Sequence, residues 1–241
     1  MSNRIWVAVA TAFFLGACGG ADNSGSADTQ PAAPDDSLAE LAMALAQGSI
    51  IIDTHIDVPY RIYDEWEDVS VATDGGDFDY PRAVAGGLNA PFMSIYTPAS
   101  LEAEGRSKAV ADELIDLVNR IANESPDKFA IATSPDDIEA HFEAGLISLP
   151  LGMENGSPIE GDLANLQYFY DRGIRYVTLA HGLSNHISVA SYDDNKQWGG
   201  LSEFGEEVVR EMNRLGIMVD ISHVSDEAFW DVMEITEAPA I

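Results

Sequence analysis

Apolar runs in this chain repeatedly end on an imidazole or a carboxylate, and this restricts the fold more than any other feature. The run "IIDTHIDV" (51–58) carries Asp53, His55 and Asp57 on alternate positions of what reads as a buried strand. "GLISLPLGMENG" (145–156) ends on Glu154, "GIRYVTLAHG" (173–182) on His181 and "GIMVDISHV" (216–224) on His223. Between the runs, apolar residues fall on a helical period, as with Val110, Leu114, Leu117, Val118 and Ile121 in the stretch 101–122. Strands separated by helices predict parallel strands in an α/β layout, either an open doubly wound sheet or a (β/α) barrel. No glycine-rich phosphate loop follows the first run, which takes support from the dinucleotide-binding open sheet. Polar residues gathered at C-terminal strand ends favour the barrel, because barrel enzymes carry their chemistry there.

Further elements follow from local signals. "GGLNAPFMSIYTP" (86–98) reads as a strand stopped by Pro98, and "KFAIATSPDDI" (128–138) as a short strand ending at Thr133. Ser134 before Pro135 is helix-start chemistry. Helices are expected over 37–47, 163–171, 202–215 and 225–237, and no internal repeat is visible.

The first residues, "MSNRIWVAVATAFFLGAC", combine Arg4 with an apolar stretch too short to span a bilayer and then small residues. This predicts a secretory signal over 1–18. Leu15-Gly16-Ala17-Cys18 resembles the lipobox of bacterial lipoproteins, which implies cleavage before Cys18 and a lipid anchor on its thiol. The expected location is the cell envelope, anchored to a bacterial membrane and facing the periplasm. Residues 19–36 are Gly, Ser, Ala, Pro and Asp with almost no large apolar side chain, so they read as a flexible tether. The folded part is expected over 37–241. Cys18 is the only cysteine, which excludes an internal disulfide and a thiolate zinc site. With 12 Lys+Arg against 41 Asp+Glu the formal net charge is −29, which disfavours nucleic acid as a partner.

On a regular strand His55 and Asp57 project to the same side, roughly 6 to 7 Å apart, so their tips can converge on one ion. Imidazole and carboxylate are both good zinc ligands, although His-x-Asp alone more often marks a hydrogen-bonded pair. Glu154, at the end of a buried strand, needs a positive partner. That partner is an arginine such as Arg175 or Arg82, or a pair of cations bridged by its two oxygens. His223 completes a set of two imidazoles and two carboxylates. Asp53 is read as structural, with a hydrogen bond to the His55 ring as the alternative. His141 is expected at the surface, and Asn185 and His186 are candidates for lining the pocket.

The blocks "DTHIDVP", "GGLNAPFMSIYTP", "LGMENG", "GIRYVTLAH" with Ser184-Asn185, "GLSEFGEEVVREMNRLGIMVDISHVS" and "APAI" occur in the order of the membrane dipeptidase (renal dipeptidase) family, which the chain resembles from about Ile51 onward. The resemblance implies a distorted (β/α)8 TIM-type barrel of the metal-dependent hydrolase kind. It also implies two zinc ions per complete site and hydrolysis of dipeptides by a hydroxide shared between them. It assigns His55 and Asp57 to the first metal, Glu154 to both, and His223 to the second. His181 matches the family histidine that contacts substrate and stabilises the tetrahedral intermediate. A homodimer is compatible with it.

The sequence departs from the family after "PAI", where the family continues into the second histidine of the second metal, the arginine for the substrate carboxylate and the acid for proton transfer. The chain stops at Ile241. The expectation is therefore an incomplete barrel of about five strands plus the start of a sixth, part of a longer protein, with the short strand near Phe129 outside the wall. Another amidohydrolase-like metal hydrolase and an inactive truncated product are the alternatives.

Overall fold

The structure, a computed structural model, describes residues 36–241. The expected signal segment, Cys18 and the tether through residue 35 lie outside the described residues. Strands β1 (Ile52–Ile56), β2 (Ala90–Tyr96), β3 (Phe129–Ile131), β4 (Ile147–Leu149), β5 (Leu151–Glu154), β6 (Ile174–Thr178) and β7 (Met218–Asp220) are interleaved with helices. The helices are α1 (Asp36–Gln47), α2 (Val58–Arg61), α3 (Tyr80–Gly86), α4 (Ser100–Glu104), α5 (Ser107–Glu124), α6 (Pro135–Ala144), α7 (Ala164–Asp171), α8 (Glu203–Leu215) and α9 (Asp226–Ile235). No helix of the described residues is long and apolar enough to cross a membrane.

The main sheet has 5 strands in the order β1-β2-β5-β6-β7, every neighbouring pair parallel. It curls, so that Ile52 at one end and Met218 and Ile241 at the other line one cavity. This is the open wall of a barrel. Ile241 already pairs with β7: its N–H donates to the Val219 carbonyl at 2.9 Å, and its carbonyl accepts from the Ile221 N–H at 2.9 Å. The start of a sixth strand expected from "APAI" is therefore present.

Strands β3 and β4 form a separate parallel pair, which places the Phe129 strand outside the wall. The single strand expected over 145–156 is divided at Pro150. Proline has no N–H to extend a ladder, and its carbonyl accepts from Met93 at 2.8 Å. One apolar run thus serves two sheets, β4 before the proline and β5 after it. The long helix expected over 101–122 is also divided, into α4 and α5 at Gly105.

Side-chain parity sorts the wall into two faces. Met93, Ile95, Met153, Val177 and Val219 point outward and are at most 1% exposed. They pack with Leu114, Ile115 and Val118 of α5 and Val208, Val209 and Met212 of α8 in one core. Full burial of each such side chain stabilises the fold by about 1.5–3 kcal/mol. Phe92, Glu154, Tyr176, Thr178, Met218 and Asp220 alternate with them and face the cavity, which encloses about 590 Å³.

Candidate metal centre

Strand β1 breaks the regular alternation expected of it. Between the pairings Asp53 with Pro91 and Ile56 with Met93, β1 advances three residues (53 to 56) while β2 advances two (91 to 93). The extra residue reverses the side-chain parity. Ile52 and Thr54 face the cavity before it, and His55 and Asp57 face it after; Asp53 does not line it. The Asp53 carboxylate instead accepts the backbone N–H of His55 at 3.0 Å, so it does not hold the imidazole ring. Asp57 lies beyond the strand, as the residue preceding α2, with φ −90°. Nor is β1 buried: Ile52 is 47% exposed, because among the described residues β1 has a neighbour only on its β2 side.

Despite that irregularity the expected site residues converge. His55 Nε2 lies 3.3 Å from Asp57 Oδ1 and 3.4 Å from Glu154 Oε2. The other oxygen, Glu154 Oε1, lies 3.4 Å from His181 Nε2 and 3.5 Å from His223 Nε2. Glu154 is 7% exposed at the end of β5, and its two oxygens face two different donor groups. One group is His55, Asp57 and Glu154; the other is Glu154, His181 and His223.

The spacing tests whether a metal fits. A charge-assisted N–H···O bond closes to about 2.7–2.9 Å. Ligand atoms about 2.0–2.1 Å from a tetrahedral zinc ion stand about 3.3 Å from one another. The observed 3.3–3.5 Å separations match the second pattern. Nitrogen and carboxylate oxygen donors are the set zinc prefers in the absence of thiolates. The residues fit a metal in both groups.

Neither Arg175 nor Arg82 reaches Glu154. Arg175 donates to the carbonyls of Thr133, Tyr170 and Ile174, and Arg82 pairs with Asp79 at 2.9 Å. Inside the cavity the carboxylate instead accepts from the Ser94 hydroxyl at 3.3 Å.

The surroundings set the protonation of the donors. The adjoining carboxylates, Asp57 first and Glu154 next, raise the His55 imidazole to about 10. The same contact with His55 lowers the Asp57 carboxyl. Burial holds His181 below the ordinary imidazole range. Its ring packs edge-on to Tyr96 at 4.9 Å and 4.4 Å from the ring of His223. His223 sits past the end of β7 with φ 66°, a left-handed conformation in which histidine is enriched among non-glycine residues.

Other expected residues fall elsewhere. His141 is half-buried, not at the surface, because its Nδ1 bonds the buried Ser148 hydroxyl at 2.9 Å. Asn185 does not line the cavity; its amide spans Asn155 Oδ1 and the Leu179 carbonyl at 2.9 and 2.8 Å, bracing the loop behind the site. His186 pairs with Glu102 at 2.8 Å in a separate cleft.

Sequence reasoning missed Tyr176, whose hydroxyl lies 2.7 Å from His55 Nδ1. Burial, then the charges of Asp220 and Glu154, push this phenol far above its ordinary range, so it is neutral. It also missed Asp220, which accepts from the Thr178 hydroxyl and, at 2.8 Å, from the Ser222 N–H. Counting back by twos from His181 reaches Leu179 and Val177, on the outer face, so alternation alone would not have found Tyr176 or Thr178.

Residues 39–241 match the family model described as membrane dipeptidase (peptidase family M19). An uncharacterized dipeptidase of Schizosaccharomyces pombe is 32% identical over 205 residues, covering 79% of this chain and 50% of the relative. The chain spans half or less of the length of the curated relatives it matches. In fold it is similar to the probable dipeptidase PvdM from Pseudomonas aeruginosa, with TM-score 0.75 and 23% identity over 85% of this chain and 54% of the other. It is similar also to a metallo peptidase from Rhodobacter sphaeroides liganded with a phosphinate mimic of L-Ala-D-Ala, with TM-score 0.70 and 22% identity over 79% of this chain and 63% of the other. By the extent of the family match, this chain belongs to the membrane dipeptidase family, peptidase family M19.

Proposed function

We propose that the protein is a zinc-dependent hydrolase of dipeptides, with its cavity at the open mouth of the barrel wall as the substrate site. The observation that carries this reading is the split of the Glu154 carboxylate, one oxygen toward His55 and the other toward His181 and His223. A carboxylate so placed is the bridge that a two-metal hydrolase requires. The phosphinate dipeptide mimic bound to the Rhodobacter sphaeroides relative supports the substrate class.

His55 and Asp57 would hold the first zinc, Glu154 both, and His223 the second. When bound, the two ions supply hydroxide near neutral pH and polarise the scissile carbonyl. The side chains do the rest. Neutral His181 keeps one N–H at neutral pH, and its Nε2 edge faces the same carboxylate oxygen as His223, so it can donate to a developing oxyanion. The apolar outer face keeps the strands in register and so fixes the spacing of the donors.

We further propose that Cys18 carries a lipid that anchors the protein at the cell envelope. The sequence Leu15-Gly16-Ala17-Cys18 behind an apolar stretch supports it. The mass of the mature protein from membranes tests this, since a diacylglycerol on Cys18 is required. Sedimentation of the same preparation reads whether the chain forms a homodimer.

The activity test strips metal with a chelator and restores zinc while following hydrolysis of L-Ala-D-Ala, an L,L dipeptide and end-blocked versions of both. Loss on stripping, recovery with zinc and preference for free termini are expected. Hydrolysis indifferent to the chelator would overturn the reading. Equal turnover of end-blocked substrates would move it to a broader amidohydrolase.

A further inference from the structure

We propose that Tyr176 is a positioning residue for the first metal site, holding the His55 ring so that Nε2 faces Asp57 and Glu154, and that Gly152 is the gap that admits it. The inference rests on the metal reading of that site.

A histidine ring turns about its last torsion with a broad, roughly two-fold profile. A half turn of His55 would put carbon where Nε2 now stands, 3.3 Å from Asp57 and 3.4 Å from Glu154. A partner on the far nitrogen opposes this, and a metal-ligating histidine ordinarily has one. Here the partner is the Tyr176 hydroxyl, 2.7 Å from Nδ1. With Nε2 engaged by a metal, Nδ1 carries the proton and donates to the phenol oxygen. Asp53, two residues before His55, is occupied by the His55 backbone N–H.

The phenol is itself held. Tyr176 is 2% exposed, and its ring lies 5.5 Å from the ring of Phe92. Tyr176 is paired in register with Gly152 on the neighbouring strand β5. A Cβ at position 152 would stand 1.9 Å from the ring Cζ and 2.0 Å from Cε1. The tyrosine therefore crosses β5 where that strand has no side chain, two residues before Glu154. A single gap in β5 thus lets β6 reach across to a ligand on β1.

The test compares the full chain with Tyr176→Phe, Gly152→Ala and the double variant, by zinc competition with a chromophoric chelator, melting temperature and dipeptide kinetics. Tyr176→Phe keeps the ring and removes the hydroxyl. It should weaken zinc binding at the first site by about 10–100-fold, the range for loss of an outer-shell partner. Its melting temperature without metal should fall only by what the loss of one hydrogen bond brings, and KM should be unchanged in excess zinc. Gly152→Ala should weaken zinc through displacement of the ring, and the double variant should be no weaker than the worse single one. Wild-type zinc affinity in Tyr176→Phe would overturn the proposal, as would full additivity.

A second readout separates this inference from the metal reading. In metal-free protein, long-range nitrogen–proton spectra of the His55 ring should show an Nδ1 proton protected from exchange in the wild type and unprotected in Tyr176→Phe. If wild-type protein binds no zinc, the metal reading fails while this signal still decides whether Tyr176 holds the ring. An Nδ1 signal indifferent to the substitution would overturn the positioning role.

Discussion

The Nε2 atom of His55 and the Oε2 atom of Glu154 stand 3.4 Å apart, too far for a good ionic hydrogen bond and at the distance of two ligands on one ion. Replacing Glu154 by glutamine keeps the shape of that side chain but removes its charge and turns one oxygen into an N–H donor. Glu154→Gln should bind zinc more than about 100-fold more weakly, beyond the loss typical of an outer-shell partner. Metal content after dialysis checks this; two ions retained would mean the carboxylate is not the bridge.

Zinc must displace a proton from His55, whose imidazole is raised from 6.5 to about 10 by Asp57 and then Glu154. Zinc affinity should therefore climb with pH, by up to about tenfold per unit, from near neutrality until it levels off as pH passes about 10. The metal-free protein should behave in the opposite sense. A raised imidazole contributes stability that is complete below 6.5 and lost as pH rises through about 10. Chelator competition and urea melts across this range read both slopes. Asp57→Asn, by removing the largest cause, should shift both transitions toward lower pH.

His181 stands 3.4 Å from Glu154 and so completes the second donor group, yet the reading above gives it the substrate oxygen. The two roles separate cleanly. His181→Ala should lower kcat by about 10²–10³-fold, the effect of losing one oxyanion donor, with zinc content unchanged. Loss of a zinc ion from this variant would instead make His181 a ligand.

Gly205 lies inside α8, where alanine would ordinarily stabilise a helix by about 1 kcal/mol. Here a Cβ would stand 2.1 Å from the carbonyl oxygen of Ile187, which is backbone and accepts the Ser202 N–H. The sign should reverse. Gly205→Ala should destabilise the protein by about 1–3 kcal/mol, as overpacking does, and the denaturant midpoint would show it.

Much of the fold was legible because several strands are short apolar runs that end on or just before a polar residue of the site. Glu154, His181 and His223 sit where such runs end, and that is where they meet. The bulge in β1 was not legible, since an extra residue in one strand has meaning only against the partner it fails to match. A strict alternation therefore grouped Asp53 with His55 and Asp57, while the structure groups Thr54 with them instead. The division at Pro150 was signalled by the proline, but which sheet takes each half depends on the pairing with β3 across α6. Tyr176 escaped notice because a tyrosine in a strand reads as core, and only the neighbouring Gly152 shows that its hydroxyl reaches across the wall.

If His223 is the zinc ligand proposed above, its backward-turning backbone, φ 66°, subjects one position to two independent filters. The turn itself accepts glycine, asparagine, aspartate and histidine far more readily than other residues. A zinc ligand must be histidine, an acid or cysteine. Only histidine and aspartate pass both filters. A descendant that abandoned the chemistry would be released from the second filter while still held by the first, so asparagine or glycine at this position would be the fossil of a lost metal.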